Sequence, residues 1–294
     1  MSWIHEALEQ IEANKRPDGA RTCAADFSTG DPATEPTALA AMALAAHGRD
    51  ATAPLDWLVA NQRPDGGFAV SPAHDESTWV TAVAAIALLS AGRRDAGEAA
   101  VNWLLHVPIY TLPVTPDSPY GYDTSLPAWP WTPGDFSWVE PTALALLAIQ
   151  HSSRADDPRV AQGLRLLADR AAFDGNDGGW NYGEPRVLGA DLSPAVVPTA
   201  LVILAARGTD IDLTPGIAFL ERRRDSMTSL FSLAWAANAA AALYGRDDSW
   251  QDALARSWAE AAASPTKEAG RGALSTALAL LAAAEPANNP LILS

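Results

Sequence analysis

Two glutamates, Glu35 and Glu140, stand in one local pattern, two residues ahead of a Thr-Ala pair that opens a long apolar run. The segments read Thr34-Glu35-Pro36-Thr37-Ala38 and Val139-Glu140-Pro141-Thr142-Ala143. A glutamate so placed is a general acid if burial lifts its pKa towards neutrality. At a helix N-terminus the dipole favours the ionised form and opposes that lift. The plainer role is a cap, the carboxylate accepting from free N–H groups of the first turn. Glu140 is the stronger candidate because Trp129, Trp131, Phe136 and Trp138 lie just ahead of it, with Tyr120 and Tyr122 further upstream. Aromatic faces stabilise cations. Tryptophans also wedge helices together, which accounts for many of the 11 in the chain.

A third acidic candidate is Asp75, between His74 and Glu76 and ahead of Trp79; the alternative is a solvated loop. Trp180-Asn181-Tyr182, followed by Asp191, could complete a polar rim. The single cysteine, Cys23, has Asp26 near it; one cysteine excludes a cysteine-rich zinc site, and neither a metal nor a cofactor is expected. No P-loop and no Gly-x-Ser-x-Gly elbow occurs.

The elements that must carry these residues repeat. Apolar runs start at Thr37, Thr81, Thr142, Thr199, Ser232 and Thr276. They are apolar nearly all round, so they are expected to be buried. Threonine is placed as an N-cap or first-turn residue would be. Gly48, Gly92, Gly208 and Gly245 close four runs as left-handed C-caps. Pro36, Pro141 and Pro198 suit a first helical turn. A more amphipathic segment precedes each run, as in Ile4 to Ala13, Leu55 to Ala60 and Val160 to Ala168. Six such pairs predict an all-α chain: one closed (α/α)6 toroid over 1–294, with an apolar inner ring, an amphipathic outer ring and a central cavity. A long Pro/Trp-rich loop at 107–139 interrupts the repeat and reads as a lid or a partner-docking surface.

Between outer and inner segments lies a recurring turn. It reads Gln62-Arg63-Pro64-Asp65-Gly66-Gly67-Phe68 in one repeat, Asn176-Asp177-Gly178-Gly179-Trp180 in another and Arg16-Pro17-Asp18-Gly19 in the first. Gln62, Gly66 and Phe68 match the glutamine–tryptophan motif of squalene–hopene and oxidosqualene cyclases; Lys15 stands where repeat one would have glutamine. The chain thus resembles the terpene cyclase and prenyltransferase-like toroid superfamily. The class II cyclases in it protonate an alkene or epoxide with the central aspartate of Asp-x-Asp-Asp-Thr-Ala. Glu35 and Glu140 occupy that position, proline replaces the neighbouring aspartate, and the other repeats carry Trp79, Val197 and Leu274.

The resemblance implies an isoprenoid-handling protein. Glu140, with Glu35 or Asp75, would give the proton. Trp79, Trp129, Trp131, Trp138, Trp180, Tyr122, Tyr182 and Phe136 would line the substrate site. The departures are the broken acid motif and the lack of room for the second helical domain of squalene cyclases. Two other readings stay open: a non-catalytic scaffold binding a protein partner or apolar ligand, and a carbohydrate-active enzyme using two carboxylates across an aromatic cleft.

Bulk properties narrow the field. At 48% hydrophobic the chain of 294 residues is not disordered. A net charge of -15 argues against nucleic acid and anionic lipid. No signal segment and no run of ~18 apolar residues appears, so a cytoplasmic protein without a membrane span is expected.

Overall fold

The computed structural model describes residues 2–13, 15–22, 30–115, 120–172, 178–263 and 271–292. Twelve α-helices lie within them and alternate in role. The outer helices are α1 (Trp3–Ala13), α3 (Thr52–Ala60), α5 (Arg94–His106), α7 (Pro158–Asp169), α9 (Thr214–Arg223) and α11 (Asp248–Ala263). The inner helices are α2 (Thr34–Ala46), α4 (Val80–Ser90), α6 (Val139–Gln150), α8 (Val196–Ala206), α10 (Leu230–Tyr244) and α12 (Ala273–Ala283). Each inner helix packs on the one before and the one after, and α12 packs on α2, so the ring closes. This is the (α/α)6 toroid expected from the repeat.

The inner helices run in one direction. At one end Thr34 N donates to Val70 O (3.0 Å), Trp79 N to Trp131 O (3.1 Å) and Val139 N to Tyr182 O (2.9 Å). These bonds tie successive N-terminal segments. At the other end Gln150 Nε2 donates to Ala205 O (2.9 Å) and Arg207 Nη1 to Ala242 O (2.7 Å), tying successive C-termini. Through their middle turns the inner helices are buried on every side. The axis is therefore packed with side chains, mostly Ala, Leu, Val and Ile, as the close approach of small residues allows. The central cavity expected from the sequence does not run through the middle of the ring; a cavity of about 470 Å³ lies at its C-terminal end, lined among others by Met42, Ala87, His151 and Asn289.

The repeated threonines do something other than capping. The caps of α2, α6 and α8 are Ala33, Trp138 and Ala195, none with a side-chain bond. Thr37, Thr81, Thr142 and Thr199 lie inside the first turn. Each hydroxyl accepts from the backbone N–H of the residue that ends the preceding turn: Arg21 (2.8 Å), Phe68 (2.8 Å), Trp129 (3.2 Å) and Trp180 (2.9 Å). The side chain of that turn residue then reaches the C-terminal end of the outer helix. Trp129 Nε1 donates to Leu104 O (2.9 Å), Trp180 Nε1 to Leu167 O (2.7 Å), and Arg21 Nη2 to Ile11 O (2.9 Å). Arg21 is thus the first repeat's counterpart of the tryptophan. Phe68 has no donor, and Gln62 Nε2 instead ties Gly66 O and Ala96 O, both at 2.8 Å. Gly66 has φ +88, and a Cβ there would lie 2.7 Å from Ala99 O of α5, so only glycine fits.

Two of the four closing glycines cap their helices as expected, while Gly208 follows an extended Arg207 and Gly245 has ψ -169, outside the left-handed helical region. Gly48 and Gly92 have positive φ, and Arg49 N→Leu44 O and Arg93 N→Leu88 O, both 2.8 Å, complete Schellman caps. Pro36, Pro141 and Pro198 lie in first turns. Among the described residues the strands form three two-residue antiparallel pairs, Arg21–Thr22 with Pro32–Ala33, Ala171–Ala172 with Gly179–Trp180, and Arg186–Val187 with Ala190–Asp191.

Two further features complete the ring. The seam between the last and first pairs is held by Arg271, which pairs with Glu6 (2.6 Å) and lies 4.1 Å over the Trp258 ring. Gln10 Nε2 donates to Arg271 O (2.7 Å). The C-terminal mouth is plugged by the segment after α12, where Leu291 is buried and Asn289 bonds Asn238 Oδ1 (2.7 Å) and Leu281 O (2.9 Å). No helix among the described residues is long and apolar enough to cross a membrane.

Candidate active site

The N-terminal mouth has two unlike halves. The first turns of α2 and α6 bring Glu35 and Glu140, and Trp79 precedes α4 between them. The first turns of α8, α10 and α12 bring Val196, Phe231 and Leu274, all partly exposed. One half is therefore acidic and aromatic, the other apolar.

Neither glutamate caps its helix. Among the described residues neither carboxylate makes a hydrogen bond or an ion pair. Glu140 is 9% exposed, and Glu35 keeps some open surface. Desolvation lifts each carboxyl from 4.5 to about 7, and the charge of Glu140 adds to the lift on Glu35. The repulsion shows that the two share one electrostatic environment. Burial has outweighed the helix dipole, which favours ionisation. Two interacting carboxyls titrating near neutrality lose their protons in two steps belonging to the pair. Near neutral pH both the protonated and the ionised form of each carboxyl are accessible.

Aromatic groups flank the pair. Trp79 and Trp131 meet edge to face, centroids 5.1 Å apart at 87°. Tyr182 is 49% exposed, and its phenol is pushed up by burial and then by the charge of Glu140. Next to Trp79, the buried Thr78 hydroxyl has no partner. Sequence reasoning missed Thr78, which carries no pattern, and the apolar half of the mouth, whose residues read as ordinary core.

The other candidates fall elsewhere. Trp129 and Trp180 are 1% exposed and serve as the inter-helix plugs described above. Asp75 is exposed on the α3–α4 connection, where its backbone carbonyl accepts from Arg63. Tyr122, Phe136 and Trp138 line a separate pocket beside the long loop. Its wall continues into Gly183, where a Cβ would lie 2.5 Å from the Trp138 ring. Cys23 and Asp26 lie outside the described residues. No cluster of three or more His, Cys, Asp or Glu that could hold a metal occurs among the described residues.

No family model matches the chain, and no curated protein matches it. Solved structures do. A protein from Actinoplanes superposes with a TM-score of 0.59 at 18% identity, over 95% of this chain and 98% of that one. A variant of the type II terpene cyclase MstE from Scytonema, in complex with its product merosterolic acid A, gives 0.57 at 14% identity, over 99% and 96%. The endoglucanase Cel10 from Klebsiella pneumoniae, a family 8 glycosyl hydrolase, gives 0.57 at 18%, over 95% and 98%. The toroid is thus shared with terpene cyclases and glycosidases alike. At these identities the likeness establishes the fold alone.

Proposed function

We propose that the chain is an acid–base isomerase of the class II terpene cyclase kind, acting on the reactive end of an isoprenoid. The observation that carries this is the pair of unpaired, desolvated glutamates, each with a pKa near 7. Glu140 O–H gives its proton to one carbon of a substrate double bond, and the π pair forms the new C–H bond. The adjacent carbon becomes cationic. A second double bond attacks it, closing a ring and moving the charge. Glu35, as carboxylate, then removes a neighbouring C–H proton, whose electron pair becomes the new double bond. Atoms and charge balance, and the reaction is an isomerisation. Trp79, Trp131 and Tyr182 offer π faces to the cation. Val196, Phe231 and Leu274 give an apolar wall that demands nothing of hydrocarbon.

A second reading rests on the same two carboxyls with the Trp79–Trp131 pair, as acid and base of a glycosidase. A sugar, however, needs many hydrogen-bonding groups, and Val196, Phe231 and Leu274 have no side-chain group to offer one. The test incubates the protein with squalene, a panel of prenyl diphosphates, and xylo- and cello-oligosaccharides. Organic extracts go to gas chromatography–mass spectrometry and sugars to chromatography, each beside Glu140→Gln. A new cyclic product lost in the variant supports the cyclase. Shortened oligosaccharides lost in the variant install the glycosidase. No product from any substrate overturns both.

A further inference from the structure

The C-terminal mouth of the ring is covered unevenly. The segment after α12 is anchored on one side, where Asn289 bonds Asn238 Oδ1 and Leu281 O, and it reaches across to His151, whose Nε2 donates to Pro290 O (2.7 Å). Over the ends of α2 and α4 a hollow of about 470 Å³ remains. Both helices end there in small side chains one turn apart, Ala41 and Ala45 on α2, Ala87 and Ala91 at the end of α4. Met42 and Leu55, both buried, complete an apolar floor. The hollow is roughly three times the ~150 Å³ cavity that encloses a benzene, so a compact body of more than one ring fits.

The side chains that border this hollow mostly accept. A carbonyl cannot donate, so His151 Nε2 carries the proton it shares with Pro290 O. Burial lowers the pKa of that ring, which keeps it neutral and leaves Nδ1 with a bare lone pair. Nδ1 has no partner among the described residues, and it is not one of the side-chain atoms buried without a partner. Ser90, exposed at the rim, spends its proton on Ala87 O (3.1 Å), and its oxygen can still accept. Asn288, also exposed, can play either part. The helices α2, α4 and α6 bring their C-terminal ends to this place, and each end carries partial negative charge. Among the described residues no lysine, arginine, aspartate or glutamate lines the hollow. Arg49 and Arg93, which follow the closing glycines, are paired with Glu12 and Asp56.

We infer that this hollow is a binding site for a small apolar organic cation, a primary or secondary ammonium on a compact hydrocarbon body. The hydrocarbon rests on the alanines, Met42 and Leu55. The ammonium donates to His151 Nδ1 and lies where three helix dipoles end. A carboxylate or phosphate would meet those same negative ends with no cation to receive it, so the site discriminates by charge as well as by shape. The inference is independent of any reaction at the glutamate pair, which lies at the opposite mouth.

The probes share one hydrocarbon body and differ in charge: 1-adamantylammonium, 1-adamantanol and 1-adamantanecarboxylate. Each is titrated into the full chain by calorimetry. The ammonium should bind at a single site, the alcohol more weakly, and the carboxylate weaker than the ammonium by roughly tenfold or more. Ala45→Leu and Ala91→Leu place larger side chains at exposed positions, which spares the core and fills the hollow. Each should weaken Kd for the ammonium by roughly tenfold or more. In 15N-labelled protein the Nδ1 resonance of His151, identified by its loss in His151→Gln, should move as the ammonium binds. Glu140→Gln should leave Kd unchanged. No heat and no Nδ1 movement at millimolar ammonium overturn the inference. So does equal or tighter binding of the alcohol or the carboxylate. A Kd indifferent to both alanine variants would mean adsorption on the acidic surface, and a Kd weakened by Glu140→Gln would move the ligand to the other mouth; either result also overturns it.

Discussion

The two mouths of the inner ring are built from the same helices and treat their polar groups in opposite ways. At the C-terminal mouth the histidine N–H donors and the buried asparagines are matched, and of the polar side-chain atoms there Gln251 Oε1 is buried without a partner. His47 Nε2 bonds Leu280 O (2.8 Å) and His151 Nε2 bonds Pro290 O (2.7 Å). Asn289 holds Asn238, Leu281 and the backbone of Leu291. Burial lowers the pKa of His151, so the ring stays neutral within that seal. At the N-terminal mouth the carboxylates of Glu35 and Glu140 have no partner among the described residues. Satisfied groups stabilise a closure, whereas unsatisfied ones are held at a cost in stability, and such costs gather where function needs them.

The comparison can be tested from its largest expected effect downwards. Glu140→Gln should cut turnover of whichever substrate is found by at least ~100-fold, the low end of what a general acid supplies. Retained turnover would remove function from the N-terminal mouth. Asn289→Leu should destabilise the fold by roughly 2–3 kcal/mol in urea, because it strands the buried Asn238 amide and the Leu281 carbonyl. Activity per folded molecule should be unchanged. A loss of activity without a loss of stability would mean that the two mouths are not separate in role.

Glu35→Gln should act with the opposite sign. The folded carboxyl ionises near 7 while the unfolded one does so near its ordinary value. From about pH 4.5 to pH 7 the unfolded chain therefore sheds the proton first, and stability falls as pH rises. Above pH 7 the loss is complete. The variant should be more stable than the parent at pH 8, by on the order of 2 kcal/mol, and equal to it near pH 4. A variant less stable at pH 8 would show that the carboxylate is paired after all. The smallest effect is expected for Thr142→Val, beside Glu140 but fully bonded to the Trp129 backbone. It should cost ~1 kcal/mol of stability and leave the pH profile of turnover in place.

Much of this was legible in the sequence, for a physical reason. Buried helices need all-round apolar runs, and left-handed caps need glycine, so the repeat and its six pairs could be read directly. The register of Thr-Ala located Glu35 and Glu140 at equivalent positions. What composition could not reveal was direction. Trp129 and Trp180 share a residue type with Trp79 and Trp131, yet the first two point into the wall between helix pairs. Arg21 hid the first repeat's plug, because a guanidinium and an indole look unrelated until both are seen donating to the same helix end. The threonines were placed in the right turn, but their hydroxyls bond the backbone at the end of the preceding connection, which local sequence does not encode.

The seam at Arg271 has a bearing on how the chain reaches this shape. The apolar face of α1, with Ala7, Leu8 and Ile11 buried, packs against α12 and α11, the last helices of the ring. Glu6 and Arg271 meet across 265 positions of sequence. During synthesis from the N-terminus that face waits for nearly the whole chain before it finds its cover. Five pairs can stack on their neighbours as they emerge, but the ring closes only when the sixth arrives, and contacts of such long sequence separation form late and slowly. Until then an open arc presents apolar surface at both ends, the kind of intermediate that aggregates or recruits chaperones. The Glu6–Arg271 clasp is thus the last stitch of folding, and the slowest refolding phase should report on it.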